Sequence, residues 1–150
     1  MWKSLSRTSD SFVDMVLRIA LAAVIFPHGA QKALGWFGGH GLSATMQFFT
    51  GKMGIPPLFA ALDIAAEFLG PIALLFGFLT RIAAFGIFVA MATAVVLVHA
   101  KLGFFMNWFG QYPAGTEGFE YHILALALAF AVTVRGAGAL SVDRALAGGK

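Results

Sequence analysis

Long apolar runs, interrupted at fixed places by ionisable residues, organise this chain. A helix needs about 20 residues at 1.5 Å each to cross a hydrocarbon core of roughly 30 Å. Four stretches reach or approach that length, at about 12–34, 57–79, 82–100 and 119–134. The first is the least pure, carrying Asp14, Arg18, Pro27, His28, Gln31 and Lys32. The second opens at Pro56-Pro57, a start signal because proline in a first turn loses no helical hydrogen bond, and it carries Asp63 and Glu67. The third is the cleanest, with Thr93 and His99 as its marked polar residues. The fourth begins with Glu120 and His122, and Gly136 and Gly138 stop it. The pattern predicts an all-α membrane protein, a four-transmembrane-helix bundle formed by residues 1–150 as a single domain.

The connections refine the picture. Thr80-Arg81 is a tight turn, which makes the second and third helices antiparallel neighbours. Between the first and second helices, Leu42, Met46, Phe49 and Met53 recur at helical spacing and predict a short amphipathic helix in the membrane interface. Trp36 and Phe37, with Phe104, Phe105, Trp108, Phe109 and Tyr112 of the third connection, form an aromatic belt at one membrane surface. Gly86, Ala90 and Ala94 are four apart on the third helix, a small-residue stripe for close packing in the bundle or against a second copy in a homo-oligomer. Asp10, Asp14 and Arg18 interrupt the N-terminal apolar run, so it reads as a retained span and not a cleaved signal.

Composition agrees. Hydrophobic residues are 59% of the 150 residues and charged residues 11%, against roughly 25% charge in a soluble domain. Too few polar groups remain to cover a water-facing surface, so membrane lipid is the main partner. The net charge of +3 comes from scattered Lys and Arg, which excludes a nucleic-acid footprint. With no cysteine, the chain has no disulfide, thiolate metal site, iron–sulfur cluster or thiol relay of its own. Lys3, Arg7, Arg81, Arg135, Arg144 and Lys150 fall on one side of the membrane, and Lys32, Lys52 and Lys101 on the other. The excess places both termini in the cytoplasm.

Ionisable side chains within a membrane cost about 2.5–3.5 kcal/mol each on insertion scales and must be paired, wet or functional. His28 and Lys32 are four apart and share a helix face, as do Asp63 and Glu67. His99 ends the third helix, and Glu120 and His122 begin the fourth. All four helices thus bring such a group to the outer half of the bundle. The expected result is a polar pocket of His28, Lys32, Asp63, Glu67, His99, Glu120 and His122. The inner half holds mainly Asp14 and Arg18, four apart and expected to form a structural ion pair. Helix-end charges can also simply snorkel to water, and Glu67 could serve only as a structural partner of Lys32. No tight metal-ligand spacing exists. His28, His99 and His122 lie on different helices, and Glu120 and His122 do not share a face, so a quinone is favoured over a metal. No catalytic residue is singled out.

The first helix reads LRIALAAVIFPHGAQKALG, the second EFLGPIALLFGFLTRIAA, and the fourth GFEYHILALAL with the tail RGAGALSVDRAL. Over about Leu17 to Leu146 these motifs resemble the DoxX family of small integral inner-membrane proteins. The resemblance carries Arg18, His28, Lys32, Glu67, Arg81 and Glu120 as motif residues, with His99 and His122 extending the pocket. It implies four helices in a bacterial inner membrane. It also implies a redox setting, since the family includes a small subunit of an archaeal thiosulfate:quinone oxidoreductase. The expectation is a membrane subunit of a quinone-linked redox module. The alternatives are a non-catalytic anchor for a partner oxidoreductase subunit, in which the polar cluster is structural glue, and a small-molecule carrier.

Overall fold

The computed structural model describes residues 6–113 and 115–148, so Lys3 and Lys150 lie outside the described residues. Among the described residues every regular element is helical. Helix α1 spans Phe12–Leu34, and α2, Gly41–Gln47, runs on into a π-helical turn at Phe48–Lys52. Helix α3 spans Pro57–Phe76, α4 Thr80–Leu97 and α5 Glu120–Arg135. A 3-10 turn, His99–Leu102, follows α4, and a short α6, Val142–Leu146, follows α5. Three helices, α1, α3 and α4, are long and apolar enough to cross a membrane. Helix α5 has 16 residues, about 24 Å at 1.5 Å each.

The helix limits have local causes. The Ser11 hydroxyl accepts the Asp14 N–H at 3.2 Å and caps α1. Pro57 opens α3. That helix stops at Phe76, short of the expected limit near 79, because Gly77 takes a left-handed conformation with φ of 65°. Helix α4 starts at Thr80, earlier than expected. Its first amides are capped from a distance: the Asp143 carboxylate accepts the Leu79 and Thr80 N–H groups, both at 2.9 Å.

The chain runs up α1, down α3, up α4 and down α5. Helix α1 packs on α3 and α5, and α4 packs on the same two. Leu21, Ile25, Leu74, Ala84, Ile87, Ala129 and Val132 fill the middle. Leu69, Phe76, Phe85, Val96 and Phe130 point outward and are exposed, which suits a surface solvated by lipid. In lipid, close backbone packing replaces the hydrophobic drive between helices. The closest approach is at Gly29 of α1, where an added Cβ would lie 2.0 Å from the Glu67 carbonyl oxygen of α3. The small-residue stripe of α4 faces inward: Ala90 is buried, and a Cβ on Gly86 would meet Ala66 of α3 at 3.4 Å.

The expected Asp14–Arg18 pair does not form. Asp14 pairs with Arg135 of α5 and accepts the Ser9 hydroxyl at 2.9 Å. Arg18, 1% exposed, donates to five carbonyls, those of Leu74, Leu75, Ala137, Ala139 and Leu140. The reason is the local supply of acceptors. The end of α3 and the segment after α5 leave carbonyls without helical partners, and a guanidinium carries five donors to satisfy them. Arg81 caps α5 in the same way, donating to Thr133 O at 2.8 Å, Val134 O at 2.6 Å and Arg7 O at 2.9 Å. The half expected to hold little more than one ion pair is therefore a dense lock of charges on helix termini.

Gly29→Ala would drive a methyl group into the α3 backbone and should cost about 1–3 kcal/mol or more. Gly86→Ala, with room at Ala66, should be close to neutral. Thermal unfolding of both variants in mild detergent, followed by circular dichroism, checks this contrast.

Candidate functional site

At the opposite end, the last turn of α1 meets the first half of α3. The Gly29 contact holds the two backbones together one turn before Lys32. The Lys32 ammonium then lies 2.7 Å from Glu67 Oε2 and 3.2 Å from Asp63 Oδ2. Glu67 is buried, 1% exposed, while Lys32 and Asp63 are partly exposed. A lone carboxylate at that depth would pay a large desolvation penalty. The ammonium offsets it, and Asp63 shares the same cation at the wetter edge. The Phe49 ring from the π-helical turn closes over Lys32, 5.3 Å from ring centre to nitrogen.

A second group of rings lies where α1, α5 and the 3-10 turn meet. His28, exposed on α1, stands 5.8 Å from Tyr121 of α5 between ring centres. Tyr121 is 5.4 Å from His122, and His122 lies 4.1 Å from His99. His99 Nδ1 is 2.7 Å from the Glu117 carbonyl oxygen, which fixes that ring. Two atoms here have no hydrogen-bond partner: the buried Tyr121 hydroxyl and His122 Nδ1. Such orphans cost about 1–3 kcal/mol each. The charge of Lys32 reaches His28 and His122, and that of Glu67 reaches Tyr121, so the ion pair and the ring group share one electrostatic environment.

Glu120 does something else. Its carboxylate turns to the loop, accepting the Met106 N–H at 3.1 Å and the Trp108 indole N–H at 3.0 Å. The Gly118, Phe119 and Glu120 amides pair with the carbonyls of Phe105, Gly103 and Phe104. Glu120 thus anchors the aromatic loop, whose Phe105, Trp108, Phe109 and Tyr112 are exposed. Among the described residues no group of three or more His, Asp or Glu is arranged to hold a metal ion.

Tyr121 escaped the sequence reading. A phenol beside a membrane histidine reads as belt aromatic, and only the placement of His28 across the bundle marks it out. A separate open cavity of about 800 Å³ lies over the end of α1, lined by Lys32, His40, Thr45, Phe48, Phe49 and Lys52 among others.

The DoxX family model matches residues 13–100. The chain belongs to the DoxX family. The match covers α1, α3 and α4, and so includes His28, Lys32, Asp63, Glu67 and His99. Tyr121 and His122 lie beyond it. A relative in Bacillus subtilis (strain 168), named "Putative oxidoreductase CatD", is 28% identical over 119 residues, covering 79% of this chain and 77% of that one. No solved structure matches.

Removing Lys32 alone should expose the cost of burying Glu67. Lys32→Met is expected to destabilise this DoxX protein by about 3–5 kcal/mol. Adding Glu67→Gln to that variant should restore most of the loss. A double-mutant cycle by thermal unfolding in detergent measures the coupling, and additive losses would show that the two residues stabilise the fold separately.

Proposed function

We propose that this protein is the membrane subunit of a quinone-linked redox module, binding a quinone or a small redox substrate at the junction of the ion pair and the ring group. In this reading α5 is a fourth span. The chain is then a single-domain, four-transmembrane-helix bundle in a bacterial inner membrane, with both termini cytoplasmic. The observation that carries the proposal is the orphaned pair of polar atoms, the Tyr121 hydroxyl and His122 Nδ1, beside a buried carboxylate–ammonium pair. At the opposite end the Thr80 hydroxyl and the Nε atoms of Arg81 and Arg144 also lack hydrogen-bond partners among the described residues, but they stand among contacts that cap helix ends. Unsatisfied buried polar groups call for an explanation, and beside a buried ion pair a partner from outside supplies one.

The donor set suits a quinone head group. The Tyr121 hydroxyl and a protonated His122 nitrogen can donate to carbonyl oxygens. Lys32 can hold an oxygen that gains negative charge, at the expense of its contact with Asp63. Glu67 and His28 can give and take protons, since carboxyl and imidazole groups serve as general acids and bases. A bound quinone would supply the two-electron, two-proton chemistry. The name of the Bacillus subtilis relative supports a redox setting. A partner oxidoreductase would supply or accept the electrons, and no thiol of this chain would carry them.

The test is direct. Protein purified in mild detergent should bind decylubiquinone or a short-chain menaquinone saturably, followed by quenching of its tryptophan fluorescence and by extraction. Tyr121→Phe and His122→Phe should weaken binding about tenfold each, the worth of one lost hydrogen bond in a dry site. Folded wild-type protein with no saturable quinone binding would leave the polar cluster as structural glue.

A further inference from the structure

The cavity over the end of α1 shares Lys32 with the quinone reading, but the rest of its lining differs in chemistry from the buried cluster. Its wall is the amphipathic segment, α2 with its π-helical turn. The Thr45 hydroxyl donates to the Lys32 carbonyl at 3.2 Å, tying α2 to the last turn of α1. The Phe48 and Phe49 rings, 6.1 Å apart, line the groove on the turn side. The two lysines in the groove are not equivalent. Lys32 is committed to Asp63 and Glu67. Lys52 has no carboxylate within ion-pair distance among the described residues, and its ammonium sits 6.0 Å from the Phe48 ring centre. His40 and Gln47 add further polar groups to the same opening.

The groove therefore offers an aromatic wall and an uncommitted cation. Its surroundings place it at the membrane surface: Trp36 and Phe37 flank it and are exposed, as interfacial aromatics are. A molecule that fits must carry an anionic group next to apolar chains and must be present at that depth. We infer that the groove seats the head group of an anionic phospholipid, with the phosphate against Lys52 and His40 and the acyl chains running down beside Phe48 and Phe49. A cation at a bilayer surface attracts anionic lipid, and a preformed groove adds geometry to that attraction.

The experiment uses the full chain in mild detergent, titrated with dioleoylphosphatidylglycerol, with dioleoylphosphatidylcholine or with inorganic phosphate, and read by native mass spectrometry and thermal shift. Phosphatidylglycerol should bind saturably and raise the melting temperature more than the other two. Lys52→Gln should weaken that binding roughly fivefold, Lys52→Arg should retain it, and Lys101→Gln, an exposed lysine outside the groove, should leave it unchanged. Quinone binding should be the same in Lys52→Gln as in wild type, which separates failure here from failure of the redox reading. Equal effects of the two lipids would overturn the inference, as would equal losses in Lys52→Gln and Lys101→Gln. Protection by inorganic phosphate as strong as that by phosphatidylglycerol would assign the groove to a free anion and overturn it too.

Discussion

Glu67 is fully buried in a protein whose outer surface faces lipid, and it can remain there because Lys32 lies 2.7 Å away. That contact depends on a glycine. Helices α1 and α3 touch backbone to backbone at Gly29, which leaves no room for a Cβ, and the lysine one turn later is thereby carried to the carboxylate. In lipid there is little hydrophobic gain from bringing two helices together, so close backbone packing and polar contacts decide how they sit. Here both act at the same level of the bundle. The interfacial segment depends on the same place, since Phe49 closes over Lys32 and Thr45 bonds to its carbonyl.

The two ends of the molecule handle polarity in opposite ways. At the end holding Asp14, helix termini are the problem and charged side chains are the answer. Arg18 gathers carbonyls from α3 and from the segment after α5, Arg81 caps α5, and Asp143 caps α4. Arg18, Arg81 and Asp143 each meet two or more opposite partial charges, although the Arg81 and Arg144 Nε atoms and the Thr80 hydroxyl keep no hydrogen-bond partner among the described residues. At the other end the polar side chains outnumber the backbone groups that could use them. Lys32 is shared between two carboxylates, four aromatic and imidazole rings stand in line, and Tyr121 and His122 keep unused polar atoms. Both ends keep unpartnered atoms, but at the first they belong to side chains spent on helix termini, and at the second they are a phenol and an imidazole beside a buried ion pair. This difference is why the functional proposal rests on the second end, although both ends are rich in charge.

The chain belongs to the DoxX family, and one relative bears the name of an oxidoreductase. The structure adds a division of labour among residues that sequence alone grouped together. Glu120 holds the aromatic loop, Asp63 and Lys32 hold Glu67, and the rings of His28, Tyr121, His122 and His99 form their own line. A bare list of ionisable residues in a membrane overstates the size of a site, because some of them exist to place a loop.

The apolar runs, the prolines and the glycines determined the helices themselves, including the amphipathic segment before α3, because length, period and end signals are local properties of a chain. The presence of Glu67 and Lys32 inside the apolar runs was equally visible. Partnership was not. Asp14 and Arg18 share a helix face, yet they turn to α5 and to carbonyls far along the chain, because a side chain four residues away competes with whatever the packed neighbours present. The start of α4 was misplaced for the same reason, its cap being an aspartate 63 residues downstream. Tyr121 gained meaning only from His28 across the bundle, and Lys52 only from the groove that α2 and its turn form with α1. Sequence determined which groups must be reconciled with lipid. The tertiary structure decided which of them are reconciled with each other, because that choice depends on distances that no single helix contains.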